Sequence, residues 1–269
     1  MSARPCSGAK GTRTHPPALP ARPVRMGPRA SGPRRIGLRL LVGVSFPPMS
    51  VDVPVACTCG AVTGVVRGVT AASSRRLACM CDDCQVYARY LRRSGEILDT
   101  HGGTDLSYAT QSRVSISTGR DHLRAVQLRE TGMLRVYAGC CRTPVAHVPS
   151  PKIAFVGIPH LFMRCGAGPE SRDAILGPLV RRFQGRYCRG EMPEGAHPGT
   201  PLGPWARAMM SVAWDTACHR ERPSPFHETG SRAPVMVPTV LSASELEELR
   251  SHLEHLEAPI GARVRQGCS

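Results

Sequence analysis

Cys57-Thr58-Cys59-Gly60, Cys79-Met80-Cys81-Asp82-Asp83-Cys84 and, far downstream, Tyr137-Ala138-Gly139-Cys140-Cys141-Arg142-Thr143-Pro144 decide how this chain is read. Thiolates one or two residues apart can turn their sulfurs to a common point about 2.3 Å away, the geometry of tetrahedral zinc. In a strand, residues two apart share a face, so Cys57/Cys59 and Cys79/Cys81 each point one way. Cys79, Cys81 and Cys84 supply three thiolates and leave one position of a tetrahedron open, the mark of a catalytic or ligand-accepting site. Cys57 and Cys59 need partners from elsewhere, and Cys140 with Cys141 is the other closely spaced pair. Together these four make a closed structural site that joins the two ends of a β-domain.

Working outward, residues 51–163 read as a mainly β domain. Ala61–Val69 is β-branched and punctuated by glycine, as expected of a strand with a bulge or tight bend. Leu77–Met80 delivers Cys79 and Cys81 at its end, and Gln85–Leu91 suggests a short helix. The segment from Leu98 to Asp105, with Gly102-Gly103, is a loop. Further strands are expected at Leu106–Ala109, Val114–Ser117, His122–Leu128, Met133–Tyr137 and Ile153–Ile158.

Beyond Pro169 the period changes, and 169–258 reads as a helical C-terminal extension. Ala174, Ile175, Leu176, Leu179, Val180 and Phe183 recur at helical spacing, and Trp205–Ala217 is a second candidate. Ser242-Ala243-Ser244-Glu245 has the form of a capping box, with Leu246, Leu249, Leu253 and Leu256 as one stripe behind it. Such stripes are core or docking surfaces rather than chemistry.

Charge separates the N-terminal 48 residues from the rest. Of the net +15, nine units lie in residues 1–48, which hold nine Lys or Arg and no acid, leaving +6 for the remainder. With nine prolines as well, this leader cannot bury enough surface to offset ordering entropy and is expected to be disordered. Two readings of it stay open: a transit-like or polyanion-binding arm, and upstream sequence preceding a start at Met49. The apolar run Ile36–Phe46, interrupted by Arg39, is a poor signal peptide.

The twelve cysteines argue against a disulfide framework, because neighbours such as Cys79/Cys81 and Cys140/Cys141 are badly placed to bridge each other. Reduced, closely spaced thiols place the protein in the cytoplasm. No run of about 20 apolar residues is present to span a membrane. Outside the leader the arginines are dispersed and aromatics make up only 4% of the chain, which counts against nucleic acid as a partner.

In its cysteine motifs and the Cys141-Arg142-Thr143-Pro144 turn, the chain resembles the glutathione-dependent formaldehyde-activating enzyme and centromere protein V family. The resemblance covers about 51–163 and implies an Mss4-like zinc-bound β-tent. It implies one structural zinc and a second, on Cys79, Cys81 and Cys84, that meets the thiol of glutathione. A carbon–sulfur lyase acting on a small thiol adduct is the activity that follows. Three departures stand out: Met80 where the family commonly has histidine, Ala138 at the expected first cysteine of the last motif, and Arg142 at its glycine.

If the resemblance extends to activity, zinc binds a small thiol and holds its thiolate for addition to an aldehyde, or for the reverse cleavage. Arg113 or Arg135 is then a candidate clamp for the carboxylates of glutathione, and His101 a candidate proton carrier. Two other classes remain beside the enzyme: a non-catalytic zinc-stabilised protein-interaction module, and a cysteine redox relay. His147, His160 and His219 show no ligand spacing, and Cys165, Cys188 and Cys218 stand alone as plain thiols. Cys6 and Cys268 fall in termini expected to fray.

Overall fold

The computed structural model describes residues 50–166 and 168–257. The expected disordered leader and the start at Met49 lie outside the described residues. The chain runs β1 (Val51–Ala56), β2 (Thr63–Val69), α1 (Ala71–Ser74), β3 (Leu77–Cys79), α2 (Asp82–Tyr90), α3 (Ser94–Ile97), β4 (Thr104–Thr110) and β5 (Val114–Thr118). It continues with β6 (Leu123–Gln127), β7 (Leu134–Ala138), β8 (Thr143–Val148), β9 (Phe155–Pro159), α4 (Gly168–Leu176) and β10 (Arg182–Phe183). The last elements are α5 (Leu202–Ala217), β11 (Pro238–Val240) and α6 (Ala243–Glu257).

Two sheets carry the fold: a three-stranded one ordered β1-β2-β5, and an eight-stranded one ordered β10-β3-β4-β9-β8-β7-β6-β11. Alternation on each strand buries one set of side chains between them. Val53, Val55, Val66, Val114 and Ile116 of the small sheet pack on Leu134, Val136, Val145, Val156 and Ile158 of the large one. The opposite face of the large sheet is covered by α2 and α6, through Val86, Tyr87, Leu91, Val126, Leu128 and Leu246. The architecture is thus mainly β with helices on one side, as the strand patterning anticipates.

Three expectations change. The strand β8 escapes a reading by alternation because all six of its residues are buried, and Pro144 looks like a breaker. Pro144 is tolerated near the strand start, opposite Tyr137, where the β7–β8 register shifts between Val136 and Tyr137. The stripe from Ala174 to Phe183 is not one helix. It stops at Leu176 because Gly177 takes φ +78 and Pro178 follows. Nor is 169–258 simply a helical appendage, because β10 pairs with β3 and β11 with β6, both parallel, at the two edges of the sheet.

The capping box forms as expected. Ser242 Oγ accepts from Glu245 N–H at 3.2 Å, and Glu245 Oε2 accepts from Ser242 N–H at 2.8 Å. Leu246 is buried and Leu249 packs beside it. By contrast α5 rests lightly on the body. Val212 is its one fully buried residue, while Leu202, Trp205, Met210 and Trp214 are exposed.

A buried arginine ties the C-terminal half to the sheet. Arg76 is 4% exposed and donates to both carboxylate oxygens of Asp105 on β4, at 2.9 and 2.8 Å. Its remaining nitrogen reaches Asp173 of α4 at 2.5 Å and the Gly177 carbonyl at 2.9 Å. Removing one partner from such a buried, bidentate pair leaves the other uncompensated. Arg76→Met is therefore expected to cost about 3 kcal/mol of unfolding free energy. Urea denaturation measures this, and a loss under about 1 kcal/mol would show that Arg172, 3.9 Å from Asp105, takes over the pairing.

Candidate metal centres

The sequence brings its seven motif cysteines together as two clusters. Cys57, Cys59, Cys140 and Cys141 have sulfurs within 4.8 Å of one another, and so do Cys79, Cys81 and Cys84. Four ligands at about 2.3 Å from one ion are about 3.8 Å apart. The separations of 3.5 Å for Cys57–Cys59, 3.3 Å for Cys59–Cys140 and 3.9 Å for both Cys57–Cys140 and Cys140–Cys141 lie within about half an ångström of that figure. Cys79 and Cys81 are 3.4 Å apart.

The four-sulfur cluster is built from two turns. Cys57 ends the run out of β1, where Val62 N–H donates to its Sγ at 3.2 Å and Gly60 takes φ +80 to close the loop. No atom lies within 4 Å of where a Gly60 Cβ would be, so backbone angle and not space demands glycine there. In the second turn Arg142 takes φ +56, and its N–H donates to the Ala138 carbonyl at 2.7 Å.

Two residues of this second turn shape how it reaches the cluster. Arg142 takes the left-handed backbone of a turn glycine while keeping a side chain. Ala138, fully buried in the core, is the last residue of β7, so the cysteine is supplied two residues later by the turn itself. Thr143 ties the turns together, its Oγ1 accepting from Thr58 N–H at 3.0 Å and from Arg93 Nη1 at 3.0 Å. Burial raises the Cys141 thiol, but the hydroxyls of Thr143 and Thr58 outweigh this and draw it down to about 5. This cluster lies towards the surface, with Cys59 and Cys140 exposed.

The three-sulfur cluster sits deeper, at the joint between β3 and α2. Cys81 is the N-cap of α2 and Cys84 lies in its first turn, so the helix start brings their sulfurs to the end of β3 where Cys79 lies. Cys84 is buried, and Cys79 and Cys81 are half-buried. Hydrogen bonds from Cys79 and Cys81 hold the Cys84 thiol well below its usual range against the opposing effect of burial, with help from Arg135. Hydrogen bonds with Cys79 and then Cys84, with burial, push Cys81 far up. Without a cation, therefore, the three cannot all be thiolates, whereas a divalent ion would let them be.

Below the cluster runs a row of side chains that the sheet register places on one face. Arg135 on β7 pairs with His147 on β8, His147 with Gly157 on β9, and Gly157 with Tyr108 on β4. Gly157 leaves a notch in that row, since a Cβ there would lie 3.4 Å from the Tyr108 ring and 3.6 Å from His147 Cβ. Both His147 and Tyr108 feel the charge of Cys84. Burial, with the charge of Arg135, draws His147 down to about 3, so its ring is neutral, and its Nε2 is buried without a hydrogen-bond partner.

Arg135 is itself 4% exposed, with Nη1 4.0 Å from Cys84 Sγ and its guanidinium 5.4 Å over the Tyr87 ring. It is thus a neighbour of the cluster and not a surface clamp. Arg113 reaches the Gly68 carbonyl at 3.2 Å, on the small sheet. His101 is held by its backbone, which donates to Asp99 and accepts from Arg189. The segment around β10 lies against the cluster loops: Met80 N–H donates to the Phe183 carbonyl, and Gln85 Nε2 bridges the Met80 and Tyr187 carbonyls at 2.9 and 2.7 Å. His147, Tyr108 and Gly157 carry no local motif; only the strand register reveals them. A cleft of about 310 Å³ between α2 and α6, lined by Arg89, Arg92, Arg142, Tyr137 and Glu248, contains none of the cluster cysteines.

A β-scaffold carrying two preassembled cysteine clusters, one with four sulfurs and one with three, defines a protein able to hold metal ions at two places. Among the described residues no helix is long and apolar enough to cross a membrane. The chain belongs to the DUF6151 family, a family of unknown function whose model matches residues 49–236. That match starts near β1 and continues past 163 through α5, in keeping with the way the later segments complete the sheet. No curated protein matches the chain.

Two equivalents of divalent metal per chain are expected by elemental analysis, with Cys59→Ser and Cys81→Ser each losing one. Loss of both from either single variant would mean that the two clusters do not bind independently.

Proposed function

We propose that the protein is a zinc enzyme of carbon–sulfur lyase type, with Cys57, Cys59, Cys140 and Cys141 holding a structural ion and Cys79, Cys81 and Cys84 a reactive one. The contrast between the clusters carries this reading. Four sulfurs complete a tetrahedron, whereas the trio has no fourth Cys, His, Asp or Glu within the same reach among the described residues. All-sulfur donor sets suit zinc among the common divalent ions. When bound at the trio, zinc supplies Lewis acidity that lowers the pKa of an incoming thiol.

The chain's own residues do the rest. Cys79, Cys81 and Cys84 present three sulfurs from a rigid strand-to-helix joint. Gly157 presents no side chain between Tyr108 and His147, and the neutral ring of His147 offers a polar atom with no competing partner. A small thiol such as glutathione, or its adduct with an aldehyde, is the substrate class that the resemblance and this site both favour.

A non-catalytic zinc-stabilised interaction module is the second reading, and the exposed apolar residues of α5, including both tryptophans, favour it. Calorimetric titration of glutathione into the zinc-loaded full chain separates the two. Saturable binding that Cys81→Ser abolishes, while the four-sulfur cluster keeps its ion, is the expected result. No binding in a protein that retains both ions would overturn the enzyme reading and leave the module.

A further inference from the structure

Three thiolates around a divalent cation sum to one negative charge, and a fourth thiolate makes it two. Cys84 is buried and its partners half-buried, so that charge is largely withdrawn from water. An uncompensated charge in such a place costs several kcal/mol. The neighbouring positive group is Arg135, whose Nη1 lies 4.0 Å from Cys84 Sγ.

Nothing else uses that charge. Among the described residues no carboxylate lies within 4.0 Å of Arg135. Asp83, whose charge also reaches Arg135, is committed to Arg129 at 3.0 Å and to Arg250 at 3.6 Å. His147 on the next strand is neutral. Burying an arginine without an acid is costly, and here the thiols Cys84 and Cys81 offset what burial takes away. Its position is set by the sheet, because register places it between Val126 and His147 and the Tyr87 ring supports its guanidinium plane.

Resting on the reading of the trio as a metal site with an exchangeable fourth position, we propose that Arg135 determines which ligand that position accepts. Its charge lowers the cost of burying an anionic fourth ligand and does little for a neutral one, so it tilts the site towards thiols bound as thiolates. Arg135 is on this account a positioning residue, acting through the electrostatics of the cluster. A lysine would keep the charge and lose the planar contact with Tyr87.

Cobalt-substituted full-length protein tests this by its ligand-field spectrum, with 2-mercaptoethanol as the anionic ligand and imidazole as the neutral one. The four-sulfur cluster contributes a constant background that also reports that each variant is folded. In Arg135→Gln the affinity for 2-mercaptoethanol should fall by roughly tenfold or more, since opposite charges up to about 8 Å apart at an effective dielectric of about 20 interact by more than the equivalent of one decade. Imidazole affinity should hold or rise, and Arg135→Lys should keep most of the preference for thiol. Loss of cobalt from the trio in Arg135→Gln but not in Arg135→Lys would equally support a charge requirement.

Equal weakening of both ligands, an unchanged thiol affinity in Arg135→Gln, or loss of cobalt from the trio in both variants would overturn the role of Arg135. A wild-type spectrum that neither ligand perturbs would instead overturn the exchangeable position itself, and the proposal with it.

Discussion

Sulfurs held within 5 Å of one another cannot all carry charge unless a cation sits among them, and this constraint organises the molecule. Each cluster is assembled from segments that local structure alone does not hold in place: a turn after β1 with a turn after β7, and the end of β3 with the start of α2. An ion at the four-sulfur cluster would crosslink turns far apart in sequence, whereas one at the trio would pin the joint between β3 and α2. Such crosslinks matter more here because aromatic side chains, at 4% of residues, contribute little of the core.

The two clusters differ in surroundings as well as in sulfur count. The surface cluster is held by hydroxyl and backbone hydrogen bonds through Thr58, Thr143 and Arg93, whose guanidinium feels the charge of Cys141 and Cys57 but is also paired with Glu96. The inner cluster instead looks onto charged and ring side chains spread over four adjacent strands. A closed site needs rigidity, whereas a site that exchanges a ligand needs an electrostatic environment that tolerates the exchange. On the proposed reading Arg135, His147 and Tyr108 supply that environment, with Tyr87 of α2 edge-on to the His147 ring.

The sheet's two edges show why the C-terminal half is part of the same folding unit. An open edge exposes unpaired backbone groups, and β10 and β11 cover both. Residues near β10 also meet the loops of the inner cluster, so what reads as an appendage encloses the site. The helices α4 and α6 anchor this half through Arg76–Asp173 and through the apolar contacts of Leu246 and Leu249.

By itself the sequence determined the cysteine spacing, and with it the trio and the two pairs, because thiolates close in the chain are close in space whatever the fold; that the pairs Cys57/Cys59 and Cys140/Cys141 meet is the work of the fold. Local signals of the same kind marked the strands with alternating burial, and the capping box that opens α6. Only the tertiary structure decided the rest. Ala138 falls in a core strand, so Cys140 is the residue that reaches the cluster, and Arg142 takes a left-handed backbone in the turn beside it. His147 and Tyr108 became neighbours of Cys84 because antiparallel register aligns residues that lie 39 positions apart, with Gly157 between them. Arg135 reads in the sequence as one arginine among many. Its meaning comes from a long-range pairing that buries it beside a sulfur, and no local pattern encodes that.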